Sequence, residues 1–176
     1  MRSWVPVPGT TTGRLVVAAL ELFGAHGYGP VAVAAIAERA GVTTGALYHH
    51  FGSKAGLYRL VRTDVEQRVV DRLEGAASMH PVHAVADLAP VLLVGFDYLL
   101  TNGFSRLLGE RSPEPSNDAR EPDAIERVIG QLVPGDSALL AALIAAAWRE
   151  ALRYAIIGPE ARFEARAALA RMLTGT

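Results

Sequence analysis

Thr43, Thr44, Tyr48, His49 and Lys54 crowd into the short run GVTTGALYHHFGSK, residues 41–54. Two threonine hydroxyls, a phenol, an imidazole and an ammonium are donors that suit base edges and phosphate oxygens of a duplex. The spacing reads as the second half of a small DNA-binding module. Gly41 supplies a turn without a Cβ penalty, Val42 fills the junction and Thr43 caps a new helix. Tyr48 and Phe51, three residues apart, are expected to anchor that helix, with Phe51 in the core. Thr44, Gly45 and Ala46 then form its exposed first turn, the end that helix-turn-helix proteins push toward bases. Thr44 can offer its hydroxyl to a base or phosphate and its methyl to thymine, Ala46 can pack on a thymine methyl, and Gly45 keeps the surface low. For Thr43 capping is preferred over direct readout. Tyr48 is expected to combine packing with a phosphate contact, and His49 to face solvent and DNA. His50 is expected to be packed or hydrogen-bonded, and Lys54, at the electrostatically unfavourable start of the next helix, to find a phosphate.

Other chemistries fare poorly. The five histidines, at 26, 49, 50, 80 and 83, form no HExxH, and His49 and His50 are adjacent, so they are expected to point apart rather than share a metal. There is no serine–histidine nucleophile motif, no phosphate-cradling glycine loop and no cysteine, so neither an enzyme nor a metal or cofactor is expected. The 51% hydrophobic content of 176 residues belongs to a folded chain. The longest apolar run, Ala138 to Trp148, is too short to cross a bilayer, and a cytoplasmic location is the default expectation. Net charge is −1, divided into +2 over residues 1–79 and −3 over residues 80–176, a weak pointer to an N-terminal nucleic-acid face.

Periodicity places helices at about Thr12–Ala25, Val33–Ala40, Thr43–His50 and, after Ser53 as cap, on to about Leu73. The two-residue period of a strand is absent. Residues 1–52 are read as a DNA-binding head completed by a strut helix, 53–75, with Gly75–Ser78 and Pro81 marking the boundary to a helical body, 76–176. Within the body, Val82–Leu100 is helical, kinked or divided at Pro90 and Gly95. Residues 109–123 are polar and turn-rich, a solvent-exposed loop. A short helix spans Ala124–Leu132, the most apolar one runs from Asp136 or Ser137 to about Ile157, and the last reaches about Leu173. The fold class expected is all-α.

The helix beginning near Ala138 is apolar almost all round and needs cover on more than one side. A second subunit would supply it through Leu140, Leu143, Ile144, Ala147, Trp148 and Ala151, with Phe163, Ala167 and Ala170 of the last helix. The alternative is a buried centre of a monomeric bundle. Phe96, Asp97, Phe104, Trp148 and Tyr154 are candidates to line an effector cavity, although aromatics at helical spacing are more often packing, and Asp97 equally suits a solvated face.

The segments AALELF (18–23), HGY (26–28), IAERAGV (36–42), TTGALYHHF (43–51) and SKAGLY (53–58) resemble the TetR family of transcriptional regulators. More loosely, residues 137–158 are similar to the penultimate helix of many members. That resemblance implies an all-helical homodimer with an N-terminal reading head, a divergent effector-binding body and, usually, repression of a palindromic operator relieved by a small molecule. One departure stands out. Where members carry a Thr or Ser pair that caps the second helix and touches phosphate, followed by a basic or polar residue, this chain has Val31, Ala32 and Ala34, leaving Pro30 to organise the first turn. The rival reading is an effector-independent DNA-binding or protein-interaction dimer.

Overall fold

The computed structural model describes residues 9–110, 122–135 and 137–175, and all regular elements among them are helical. Most of the loop expected at 109–123 lies outside the described residues, as does Asp136.

The first helix, α1 (Thr11–His26), starts where the Thr10 hydroxyl accepts from the Gly13 amide and buries Leu15, Ala19 and Phe23 along one stripe. It stops at Gly27, whose φ of 77° turns the chain back. Helix α2 (Val33–Ala40) has the bounds expected and closes on left-handed Gly41, whose amide bonds back to the Ala37 and Glu38 carbonyls. Its start has no side-chain cap, because Ala32 occupies the capping position. Helix α3 (Thr44–Phe51) follows at once, and α4 (Lys54–Met79) begins under the Ser53 cap. Leu57, Val61, Val65, Val69 and Leu73 recur every fourth residue along α4 and are all buried, joining the head to the body through one continuous apolar core.

Helix α4 does not end near Leu73 as expected. It continues through Gly75–Ser78 because Ala76 and Ala77 still pack on the core, and one solvent-facing glycine costs a helix only about 1 kcal/mol. Beyond it, the Asp87 carboxylate accepts the His83 and Ala84 amides, which hold its pKa below the usual range, and a single turn of 3₁₀ helix leads into α5 (Leu88–Thr101).

Neither Pro90 nor Gly95 divides α5. Pro90 sits in the first turn, where a missing amide is no loss. At Gly95 a Cβ would stand 3.1 Å from Leu73 and from Val69, so this glycine marks close packing on α4 rather than a bend.

A short helix not read from the sequence, α6 (Ser105–Gly109), turns off α5 after Gly103 at φ 72° and buries Leu107 and Leu108. Helix α7 (Ala124–Leu132) is capped by Asp123, and α8 (Ala138–Ala155) by Ser137. Pro159 opens α9 (Pro159–Thr174). The Trp148 indole of α8 is wholly buried and donates to the Leu92 carbonyl of α5, fixing the centre of the body. Among the described residues no helix is long and apolar enough to cross a membrane.

Candidate nucleic-acid interface

The surface of interest is the N-terminal turn of α3. The Thr43 hydroxyl accepts from the Ala46 amide at 3.3 Å, so Thr43 is engaged as the cap. Thr44 and Gly45 are exposed and Ala46 is half-buried beside them. A Cβ at Gly45 would meet only the Thr43 hydroxyl, at 3.7 Å, so nothing inside this chain requires glycine there.

Tyr48 does not anchor the helix. It is 53% exposed, whereas Leu47 is completely buried and Phe51, one turn later, packs half-buried against the core. The inner face of α3 therefore passes through positions four apart, 47 and 51, and leaves the Tyr48 phenol on the solvent side. Its neighbour His49 is exposed as expected. His50 is exposed too, and the two imidazoles do not diverge: their centroids lie 5.1 Å apart, edge to face, with His50 also 6.2 Å from Phe51. Adjacent helical residues differ by about 100° in direction, which still lets two rings lean together over a last turn.

Lys54, the first residue of α4, lies half-buried rather than free. Its ammonium is 4.2 Å from the centroid of the Tyr28 ring and 3.4 Å from the Gly29 carbonyl oxygen, and desolvation draws its pKa down. An ammonium carries three donors, so this engagement leaves a phosphate contact open. Thr44, Gly45, Tyr48 and His49 thus share one short exposed helix, with Lys54 at the start of the helix that follows.

The candidate effector residues are not brought together. Phe96 and Trp148 are fully buried in the core, Phe104 packs over the backbone of Gly24 and lies 6.1 Å from Tyr98, and Asp97 forms a forked ion pair with Arg166 at 2.9 to 3.2 Å. Tyr154 is exposed and donates to Glu164 at 2.7 Å. Of the five, only Tyr154 lines the groove of about 400 Å³ between α8 and α9. The expectation of a cavity built from all five is therefore corrected, since helical spacing here reflects core packing.

A polar seam went unread. The guanidinium of Arg62 on α4 donates to Glu66 at 3.1 Å, to the Glu110 carbonyl at 3.0 Å and to the Leu107 carbonyl, while Asp123 pairs with Arg149 nearby. Burial raises the Glu66 pKa against the opposing charge of Arg62, and Asp123 raises it further. The Arg62–Glu66 spacing of four residues inside an otherwise apolar stripe was the available signal.

On the α8–α9 face, Leu143 is 59% and Phe163 79% exposed, Ala167 is exposed, and Leu140, Ala147, Ala151 and Ala170 are half-buried. Ile144 and Trp148 are buried within their own subunit and are removed from the expected interface. They lie on the inner face of α8, which packs on the body.

Residues 15–61 match the profile of the family described as bacterial regulatory proteins, tetR family. Over 48 residues the chain is 54% identical to the HTH-type transcriptional regulatory protein RaaS of Mycobacterium tuberculosis, and over 61 residues 46% identical to the HTH-type transcriptional activator FasR of Mycolicibacterium smegmatis. Those segments are 27% and 35% of this chain, and the chain spans only 22% and 26% of the two relatives. A crystal structure of a tetR-family transcription regulator from Shewanella sp. PV-4 shares the fold, with a TM-score of 0.66, 22% identity, and 94% of this chain and 97% of that one covered. Over residues 15–61 the head is therefore similar in sequence to the tetR family of bacterial regulatory proteins, and the whole helical architecture shares the fold of solved tetR-family regulators.

Proposed function

We propose that the chain is a homodimeric transcriptional regulator that places one α3 per subunit in the major groove of a palindromic operator, and that a small molecule bound in the body releases it. The observation that carries the DNA-binding part is the first turn of α3. Its Thr43 cap is complete, Thr44 and Gly45 are exposed, and the Tyr48 phenol stands clear of the core. Thr44 and Ala46 would read base edges, while Tyr48, His49 and Lys54 would meet phosphates. Two heads would contact half-sites about 34–36 Å apart, or a multiple of that distance. Such a regulator would act in the cytoplasm, where its duplex is.

Release by an effector is supported by the seam around Arg62 and Glu66. It joins the strut helix that carries the head to α6 and approaches α7 and α8, a path by which a displacement within the body would reach α4. Coupling requires that the occupant bind the two arrangements of the heads with different affinity.

The test is selection of genomic duplex fragments by the purified protein at a stated salt concentration, repeated with Thr44→Ala. Recovery of a palindrome whose sequence preference changes in Thr44→Ala supports the reading. No enrichment by a folded dimer would refute it.

A further inference from the structure

We propose that the proton is a ligand of this chain, taken up by Glu66, and that its uptake closes the body onto the strut helix that carries the head. This rests on the DNA-binding reading above but concerns a group remote from the reading turn. A carboxylate among packed helices is costly unless its charge is matched or removed. Only 17% of the Glu66 side chain is exposed, on the stretch of α4 that packs against α6 and α7.

The charged and titratable groups around Glu66, among the described residues, come from four helices. From α4 itself the Arg62 guanidinium donates to it at 3.1 Å, and the Tyr58 phenol stays neutral because burial raises its pKa. The start of α7 brings Asp123, and α8 brings Arg149, which pairs with Asp123. Helix α6 brings the Leu107 and Glu110 carbonyls, both accepting from Arg62, and the Arg106–Glu110 ion pair at 3.1 Å. Asp64 and Arg68, with the Tyr98 phenol of α5, form a separate cluster half a turn away around α4.

Arg62 is thus divided between Glu66 and two carbonyls of α6, and it leaves the Glu66 charge poorly matched. Burial first, and then the Asp123 carboxylate, hold the Glu66 pKa above the usual range against the pull of Arg62 and Arg149. An arrangement that admits water to Glu66 relieves that penalty and binds the proton less tightly. By linkage, acidification favours the closed seam, and the bare carboxylate at higher pH favours its opening.

The seam reaches the head. A Cβ on Gly27, in the turn after α1, would collide with both carboxylate oxygens of Glu110, so the end of α6 lies on the backbone of that turn. Arg62 holds the same residue by its carbonyl, at 3.0 Å. Freeing α6 from Arg62 therefore frees the α1–α2 turn from the body.

The experiment compares wild type with Glu66→Gln, which cannot titrate, and with Asp123→Asn, which keeps a capping side chain on α7 but removes the opposing charge. Amide protection at Leu107 and Leu108, corrected for intrinsic exchange rates, is measured in the DNA-free protein from about pH 4.5, the ordinary glutamate range, to about pH 8. Wild type should gain about tenfold on acidification, as expected if the closed seam binds the proton about ten times more tightly than the open one. Glu66→Gln should be protected throughout, and in Asp123→Asn the gain should come at lower pH. An operator duplex recovered by selection is then titrated over the same range at fixed salt. The ratio of wild-type to Glu66→Gln affinity should change severalfold, with the midpoint seen in exchange, because the five histidines titrate in both proteins and cancel.

Protection in wild type that is flat with pH, or a gain that Glu66→Gln shares, would overturn the proposal. An affinity ratio constant across the range would overturn its reach to the head. If wild type binds no duplex, the DNA-binding reading fails by itself, and the exchange measurements still decide the role of Glu66.

Discussion

The α-carbon of Gly24 faces the carbonyl oxygen of Gly103 so closely that a Cβ on Gly24 would stand 2.6 Å from that oxygen. The last turns of α1 therefore meet the α5–α6 junction backbone to backbone, with the Phe104 ring alongside. Gly24→Ala should destabilise the chain by about 1–3 kcal/mol, since the obstacle is a carbonyl that cannot swing away. Helix propensity alone predicts the opposite, a gain of about 1 kcal/mol. Urea unfolding decides, because a fall in midpoint at unchanged slope is a loss of stability.

Gly45 poses the reverse case. With only the Thr43 hydroxyl near its absent Cβ, Gly45→Ala should leave the fold intact and add about 0.5–1 kcal/mol to the helix. Operator affinity should nevertheless fall, because the added methyl lies on the surface proposed to approach the bases. Paired measurements of unfolding and binding test this. A stabilised variant that binds as tightly as wild type would move the reading surface away from the first turn of α3.

The bounds of α2 and α7 were legible because local chemistry ends them: left-handed Gly41 closes one and the Asp123 cap opens the other. The head's exposed turn was legible for the same reason, through Thr43 and Gly45. What escaped depends on residues distant in sequence. Helix α6 is a single turn, SRLLG, and it is defined by burial of Leu107 and Leu108 rather than by periodicity. Leu47 displaced Tyr48 as anchor because one residue of rotation decides which face of an eight-residue helix is inside. Lys54 reads from its place in the first turn of α4 as a phosphate contact, and its seat over the Tyr28 ring, on another element, leaves no local signal.

Glu66 gives the body a pH dependence with a definite sign. Burial raises its folded pKa above the unfolded value, so between the two the folded state binds more protons. Its contribution therefore becomes more favourable as pH falls through the folded pKa toward the ordinary glutamate range, and the burial penalty is fully present above that window. Urea midpoints of wild type and Glu66→Gln, compared from neutral to mildly acid pH, should move relative to each other in favour of wild type on acidification. A constant difference, or one that moves the other way, would contradict this assignment.

The outer face of α8 and α9 carries the dimer prediction. Leu139, Leu143 and Phe163 are 71%, 59% and 79% exposed, while the inner face of α8 is filled by Ile144, Trp148 and Leu152. Large apolar side chains left in water along one such surface are what a second subunit would cover. Leu143→Asp combined with Phe163→Asp should shift sedimentation from dimer to monomer while the helical signal and the midpoint of the monomer's own unfolding stay near those of each subunit's intact core. Operator affinity should fall steeply, because two heads on separate subunits lose the advantage of being tethered. Trp148→Ala separates the two faces of α8: it should cost about 3–5 kcal/mol of folding stability by opening a cavity in the core. A variant pair that remains dimeric would place the subunit contact elsewhere, and the spacing of the two reading helices would then have to be set by a different surface.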